Sequence, residues 1–350
     1  MIYYISTERF STTVRYFLKD HPRETRSLLK SITYEEVFFE RAAPVGHFIF
    51  TDFDRLSRYE IECAAALARS LSEAVPSVRI LNHPLRALER YPLLIALKKA
   101  GINNFTATRI EAGEPPTEYP VFIRAEDGYG GPETDLIYNA DQYNAAVSAL
   151  YRRGLPRRGR IAVGFANERG ADGYYRKYGA FNICGKIVPH DLLFSVNWAI
   201  KYFGAEGAGI QGHDVAYSES DEGIARKLEY MRENPHEEVL KRAFDIAGID
   251  FGRADYGIVD GKVQIYEINT NPHLPFTRVP TRRLARREIV LSGIIEGLSA
   301  INRPISASGR VRFTEPRPRS HNLHWPRRRL PFSLARRGFS ALSQRLLSKP

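Results

Sequence analysis

The sequence predicts an α/β protein, with α+β character in its second half. Strand-like and helical runs alternate through residues 1 to about 104, a linker rich in Gly, Pro and Glu follows, and the remainder holds a strand-turn-strand pattern with polar residues set among apolar ones. In the first region IYYI, HFIFTDF and VRIL read as strands and YEIECAAALARSLSEAV as an amphipathic helix. NHPLRALERYPLLIALKKAGI reads as two short helices, the second with Pro92 in its first turn and Gly101 as its stop. After the linker EAGEPPTE comes a strand ending in a glycine-rich turn, YPVFIRAEDGYGG. From about 160 to 300, strands (RIAVGF, FNICGKIVP) mix with helices (GIARKLEYMRE, HEEVLKRAFDIAG), and an Arg-rich helix near 282–301 closes the region. The expected domains are 1–104, 105–302 in two lobes (about 105–165 and 166–302), and 303–350.

Charge separates the last of these from the rest. Net charge is +11, and residues 303–350 carry all of it, with 12 Lys and Arg against the single acid Glu315. A neutral body with a basic, Pro-rich end argues against a uniformly nucleic-acid-binding fold and for a flexible appendage. Within it, Ala335, Phe339, Leu342 and Leu346 recur at helical spacing with Arg336, Arg337 and Arg345 off the stripe. This spacing predicts an amphipathic helix over 333–347, suited to weak membrane or protein association, with no specific nucleic acid as partner. No apolar run approaches the roughly 20 residues of a membrane helix. MIYYISTERF lacks the features of a signal peptide, so a cytoplasmic protein is expected. Cys63 and Cys184, far apart and without metal-ligand spacing, read as buried free thiols.

The pattern with most chemical content is ADYGIVDGKVQIYEIN followed by Thr270-Asn271-Pro272. Asp260-Gly261 is a hairpin turn signal, and alternation places Val263, Ile265, Glu267 and Asn269 on one face. A two-residue loop alone would pair Asp255 with Tyr266. A longer loop or a bulge would pair it with Glu267, and this is the expected register. It gathers Asp255, Glu267 and Asn269 into one oxygen-rich patch, where two carboxylates need a cation to offset repulsion and desolvation. Mg²⁺, or Mn²⁺, takes such oxygens and fills its other positions with phosphate and water. The competing reading is an exposed polar hairpin face, against which apolar Val263 and Ile265 count.

The run GIDFGRADYGIVDGKVQIYEINTNPHLP resembles the carboxy-terminal signature of the ATP-grasp superfamily, in which Arg-x-Asp on one strand and Glu-x-Asn on the next hold magnesium and ATP phosphates. The resemblance covers roughly residues 80–300 and implies an ATP-grasp architecture behind an amino-terminal α/β domain. It implies that Asp255, Glu267 and Asn269 are metal ligands and that Arg253 contacts phosphate or a reaction intermediate. PVFIRAEDGYGG resembles the family's strand and phosphate-covering turn, with Arg124 where Lys is usual and Asp127, Gly128, Gly130 and Gly131 in the turn. Gly164 and Phe165 stand at the adenine hinge, and Arg176 and Lys186 resemble basic residues aimed at phosphates or an acidic substrate. None of His190, His213 or His273 is assigned to chemistry.

The implied activity is that of a carboxylate-amine ligase using ATP and Mg²⁺: a substrate carboxylate takes the γ-phosphate to give an acylphosphate, which an amine then attacks. The acid and amine are not identified by the sequence. Two other classes stay open, an ATP-binding protein without ligase activity and a membrane- or nucleic-acid-associated protein acting through its basic tail. There is no Walker phosphate loop, no dinucleotide-binding glycine turn and no GxSxG.

Overall fold

Four parallel strands form the first sheet, in the order Leu29–Thr33, Ile2–Ser6, His47–Phe50, Ile80–Leu81. Ile2, Tyr4, Ile5, Phe48, Ile49 and Phe50 are fully buried, as expected where a parallel sheet is covered and its strands are continuously apolar. The computed structural model describes residues 1–127, 130–200, 213–275 and 279–316. The chain divides into two units, Met1–Leu85 together with the segment from Leu298, and Arg86–Gly297. The fold is mixed α/β.

In the first unit, helix Arg58–Ala74 starts in a capping box between Ser57 and Glu60 and buries Cys63, Ala64, Leu67, Ala68 and Leu71. Part of the basic carboxy-terminal segment is ordered here. Arg310–Arg312 pairs antiparallel with Ala42–Pro44, Phe313 is buried 6.2 Å from the Phe38 ring, and Glu315 bonds Arg41. A three-residue strand with one apolar residue between two arginines gives no periodic signal. The helix expected over 333–347 lies outside the described residues.

The second unit holds two antiparallel sheets. The smaller has the order Ala107–Arg109, Arg160–Gly164, Val121–Ala125, and helix Ala140–Arg152 packs against it through Tyr143, Val147 and Leu150. The larger has the order Lys186–Ser195, Tyr175–Ile183, Phe251–Val259, Lys262–Asn269. Its Ala180, Ala254, Tyr256, Val263 and Ile265 meet Leu240 and Phe244 of helix Glu237–Ala247, and Leu93 and Leu97 of helix Arg90–Lys99.

Residues 82–101 form one helix, Arg90–Lys99, rather than the two expected. Pro84 disfavours a helical His83, and the Leu88 amide is spent on the Ala247 carbonyl at 2.8 Å. FNICGKIVP is a hairpin corner: Cys184 and Gly185 both have positive φ, 53° and 91°, as a tight two-residue turn requires. That turn puts Cys184 on the surface, which corrects the expectation of two buried thiols; Cys63 is buried.

Candidate active site

The hairpin of Phe251–Val259 and Lys262–Asn269 closes at Asp260-Gly261, both with positive φ, pairing Val259 with Lys262 and Tyr256 with Ile265. The register then slips by one, and Asp255 pairs with Glu267. Tyr266 is the additional residue, so the strand carries a bulge. Alternation holds only along an unbroken ladder. Val263 and Ile265 therefore follow Tyr256 into the core, while Glu267 follows Asp255 to the opposite face. The expectation that Val263, Ile265, Glu267 and Asn269 share a face is corrected by this bulge. Gly257 accommodates it, since a Cβ there would overlap the Tyr266 hydroxyl, which donates to the Ala166 carbonyl at 2.9 Å.

Four cations surround the two carboxylates. Arg253 Nε donates to Asp255 Oδ1 at 2.9 Å and Lys177 Nζ to Oδ2 at 3.2 Å. Arg90 donates to Glu267 Oε2 at 2.6 Å, Arg124 lies 3.5 Å from the same oxygen, and the Asn269 amide donates to Oε1 at 3.3 Å. Burial works against ionisation of Glu267, but Arg90, Arg124 and Lys177 outweigh it and hold the carboxyl well below the usual range. For Asp255, burial is likewise overcome by Arg253 and Lys177. Burial pushes Arg124 down to about 10 despite Glu267.

Asp255, Glu267 and the four cations line one cavity of about 480 Å³ with Gly130, Gly131, Gly164 and Phe165. Its apolar wall has Trp198 at the centre, 5.2 Å from the Phe122 ring and 5.7 Å edge-on from Phe165. Such a wall suits a planar aromatic group. The Gly164 and Phe165 amides already bond the Thr106 and Pro120 carbonyls at 2.9 and 2.8 Å, so a backbone hinge to a bound base falls to the residues after them.

Arg253, Asp255, Glu267, Arg124, Gly130, Gly131, Gly164 and Phe165 are thus brought together, with Asn269 bonded to Glu267. Asp127 is exposed and outside the cavity lining, and Gly128 lies outside the described residues. Arg176 and Lys186 sit elsewhere. Arg176 bonds Asp172 at 2.5 Å with its guanidinium 5.6 Å from the Phe194 ring, and Lys186, beside the hairpin turn, pairs with Glu296. Alternation along Tyr175–Ile183 gives the cavity Lys177 rather than its neighbour.

Arg90 and Lys177 escaped sequence reasoning. Lys177 had a usable signal, since it shares parity with Gly179, the residue paired with Asp255. Arg90 had none, because its partner is 177 residues away. His273 lines the cavity, and burial and the nearby Arg253 lower its pKa.

Four cations against two carboxylates leave two formal positive charges inside a concave site, and the Arg124 Nε is buried with no hydrogen-bond partner among the described residues. Both features fit a polyanion. No group of three or more His, Cys, Asp or Glu side chains able to hold a metal occurs among the described residues. Two carboxylates and an amide fit a hard cation that also takes oxygens from its ligand, such as Mg²⁺.

No family model matches the chain, and no curated protein does. Solved structures similar to it include a D-alanine–D-alanine ligase from Bacillus anthracis complexed with ATP, at 12% identity over 86% of this chain and 98% of that one, with a TM-score of 0.45. An L-amino acid ligase from Bacillus licheniformis is 11% identical over 87% and 77%, with a TM-score of 0.42. A RimK domain ATP-grasp protein from Sphaerobacter thermophilus is 12% identical over 86% and 99%, with a TM-score of 0.45. Likeness at these scores adds no weight to the reading of the cavity, which rests on its own geometry.

Proposed function

We propose that this chain is an ATP-dependent ligase of the ATP-grasp type, activating a substrate carboxylate as an acylphosphate for attack by an amine. The observation that carries the proposal is the ring of Arg90, Arg124, Lys177 and Arg253 around buried Asp255 and Glu267, opening into the same cavity as the aromatic wall at Trp198. A nucleoside triphosphate has both halves of this chemistry, a planar base and a polyanionic tail. The ATP-binding region is assigned to residues 105–302, with Arg90 supplied by the helix before it.

In this reading the adenine lies against Phe122, Phe165 and Trp198, and the phosphates meet Gly130, Gly131 and Arg124, where the absence of a Cβ lets backbone amides approach. Asp255, Glu267 and Asn269 would hold Mg²⁺ or Mn²⁺. When bound, the ion neutralises charge on the phosphates and orients them. Arg253 and Lys177 then face the transferring group. A carboxylate oxygen forms a bond to the γ-phosphorus as the bond to ADP breaks. The amine nitrogen next bonds the acyl carbon, phosphate departs and the nitrogen loses a proton. The protein's contribution is positioning and charge neutralisation, and no covalent nucleophile is needed.

The test is calorimetric titration of ATP with and without Mg²⁺ on the parent and on Glu267→Ala with Asn269→Ala. Metal-dependent binding by the parent and loss of that dependence in the variant are expected. Absence of ATP binding, or an unchanged metal response in the variant, would overturn the proposal.

A further inference from the structure

Residues 142–159 contain four arginines and no aspartate or glutamate, whereas residues 1–302 as a whole carry no net charge. The four, Arg152, Arg153, Arg157 and Arg158, are exposed, and none of their guanidinium groups has a hydrogen-bond or ion-pair partner among the described residues. Tyr151 stands beside them with 69% of its surface exposed. Arg152 and Arg153 close helix Ala140–Arg152, where cations complement the helix dipole. Arg157 and Arg158 lie past its end, so that effect does not account for them.

The loop that carries them is held at both ends. The helix stops at Gly154, whose φ is 80°, and the Gly154 and Leu155 amides bond the Tyr151 and Leu150 carbonyls at 2.9 and 3.1 Å. Leu155 packs against the cluster of Tyr143, Val147 and Leu150. At the other end Arg160 donates to the Pro156 carbonyl at 2.7 Å and to both carboxylate oxygens of Glu133 at 2.7 and 3.0 Å. Glu133 is thereby taken up and offers no counter-charge to the four arginines. Their guanidinium groups are displayed on a pre-ordered turn, which lowers the ordering cost of binding a partner.

We propose that this loop is a docking surface for a short acidic segment of another protein, a run of Asp and Glu side chains that pair with Arg152, Arg153, Arg157 and Arg158. The planar fork of a guanidinium matches a carboxylate. The size of the patch sets the kind of partner. A nucleic-acid strand or an anionic bilayer would extend past the loop onto a body with no net positive charge, whereas a short acidic run covers the loop alone. The exposed Tyr151 ring offers apolar contact to the same segment. The loop stands at the opposite end of strand Arg160–Gly164 from Gly164, which lines the cavity, and its role does not rest on the ligase reading.

The experiment measures binding of a fluorescein-labelled octaglutamate peptide and of a single-stranded RNA octamer by anisotropy, and of phosphatidylserine vesicles by cosedimentation, on the full chain at low salt. The parent is compared with Arg152→Ser plus Arg153→Ser, with Arg157→Ser plus Arg158→Ser, and with the quadruple variant, each after a melting curve establishes folding. The basic carboxy-terminal segment is common to all and cancels in the comparison. Each exposed charge pair contributes a factor of about 1.4–5, so the quadruple variant is expected to bind the peptide about tenfold more weakly or worse, and each double variant to fall between. RNA and vesicle binding should change by less than about threefold, the scale of a single exposed pair. No peptide binding by the parent, or equal binding by parent and variants, would overturn the docking surface. A loss for RNA or vesicles as large as that for the peptide would also overturn it and assign the loop to those partners, and self-association of the parent that the substitutions abolish would assign it to a second copy instead.

Discussion

Replacing Glu267 by Gln keeps its shape and removes its charge. The structure then leaves Arg90, whose guanidinium lies 2.6 Å from Oε2, and Arg124, 3.5 Å away, without their shared counter-charge. Taking one member from a buried ion pair costs about 3–5 kcal/mol. The Glu267 side chain is 20% exposed, so the lower end applies, about 3 kcal/mol. For a unit of about two hundred residues that corresponds to a fall of roughly 6–12 °C in Tm. The same substitution leaves three formal positive charges in the cavity, so metal-free ATP should raise the variant's Tm more than the parent's. pH supplies an independent check. The folded carboxyl holds its proton more weakly than the unfolded one, whose pKa is about 4.3. Parent stability from this group is therefore complete above about pH 4.3 and is lost as pH falls toward the depressed folded value. The Gln variant lacks that limb, so the two stability curves should converge in acid. Thermal melts at pH 7 and about pH 3, with and without ATP, read all three effects. A loss below about 1 kcal/mol at pH 7, with equal stabilisation by metal-free ATP, would refute Glu267 as the counter-charge of these arginines.

Two further outcomes follow from the strand and turn geometry. Lys177→Met should weaken ATP binding by roughly ten- to a hundredfold, the worth of a charge-assisted contact, whereas Arg176→Met should change it by less than about twofold; equal effects in the same titration would contradict the assigned faces. One thiol, Cys184, should react with an aromatic disulfide reagent in the native protein and a second only in denaturant, because Cys63 is buried and burial pushes its thiol up to about 12. Prompt reaction of both would mean that helix Arg58–Ala74 opens readily.

How far the sequence could be read depended on the range of the signal. The hairpin was legible because Asp260-Gly261 is a local turn instruction and the acids stand within a few residues of it. Which faces its two halves present was not, since the bulge at Tyr266 answers to the hydroxyl's reach to Ala166 and to the missing side chain at Gly257. Arg176 and Lys177 are chemically alike, and only the register with Asp255 at Gly179 decides between them. Arg90 belongs to a helix whose apolar face, Leu93 and Leu97, is readable, but nothing local says that its first residue ends beside Glu267. The aromatic wall was missed for a related reason, as Phe122, Phe165 and Trp198 come from three separate segments.

The bulge also makes the hairpin intolerant of length changes in a way that its composition conceals. Deleting Tyr266 would remove the bulge and leave Glu267 opposite Asp255 but without the hydroxyl's bond to Ala166, while an insertion between Glu267 and Asn269 would turn Asn269 toward the packing against Leu240 and Phe244. Conservative apolar exchanges at Val263 or Ile265 leave the count of residues, and so the aim of the carboxylate, untouched. Two kinds of variation therefore meet within five positions: residue size is negotiable on one side of Tyr266, and residue number is negotiable on neither.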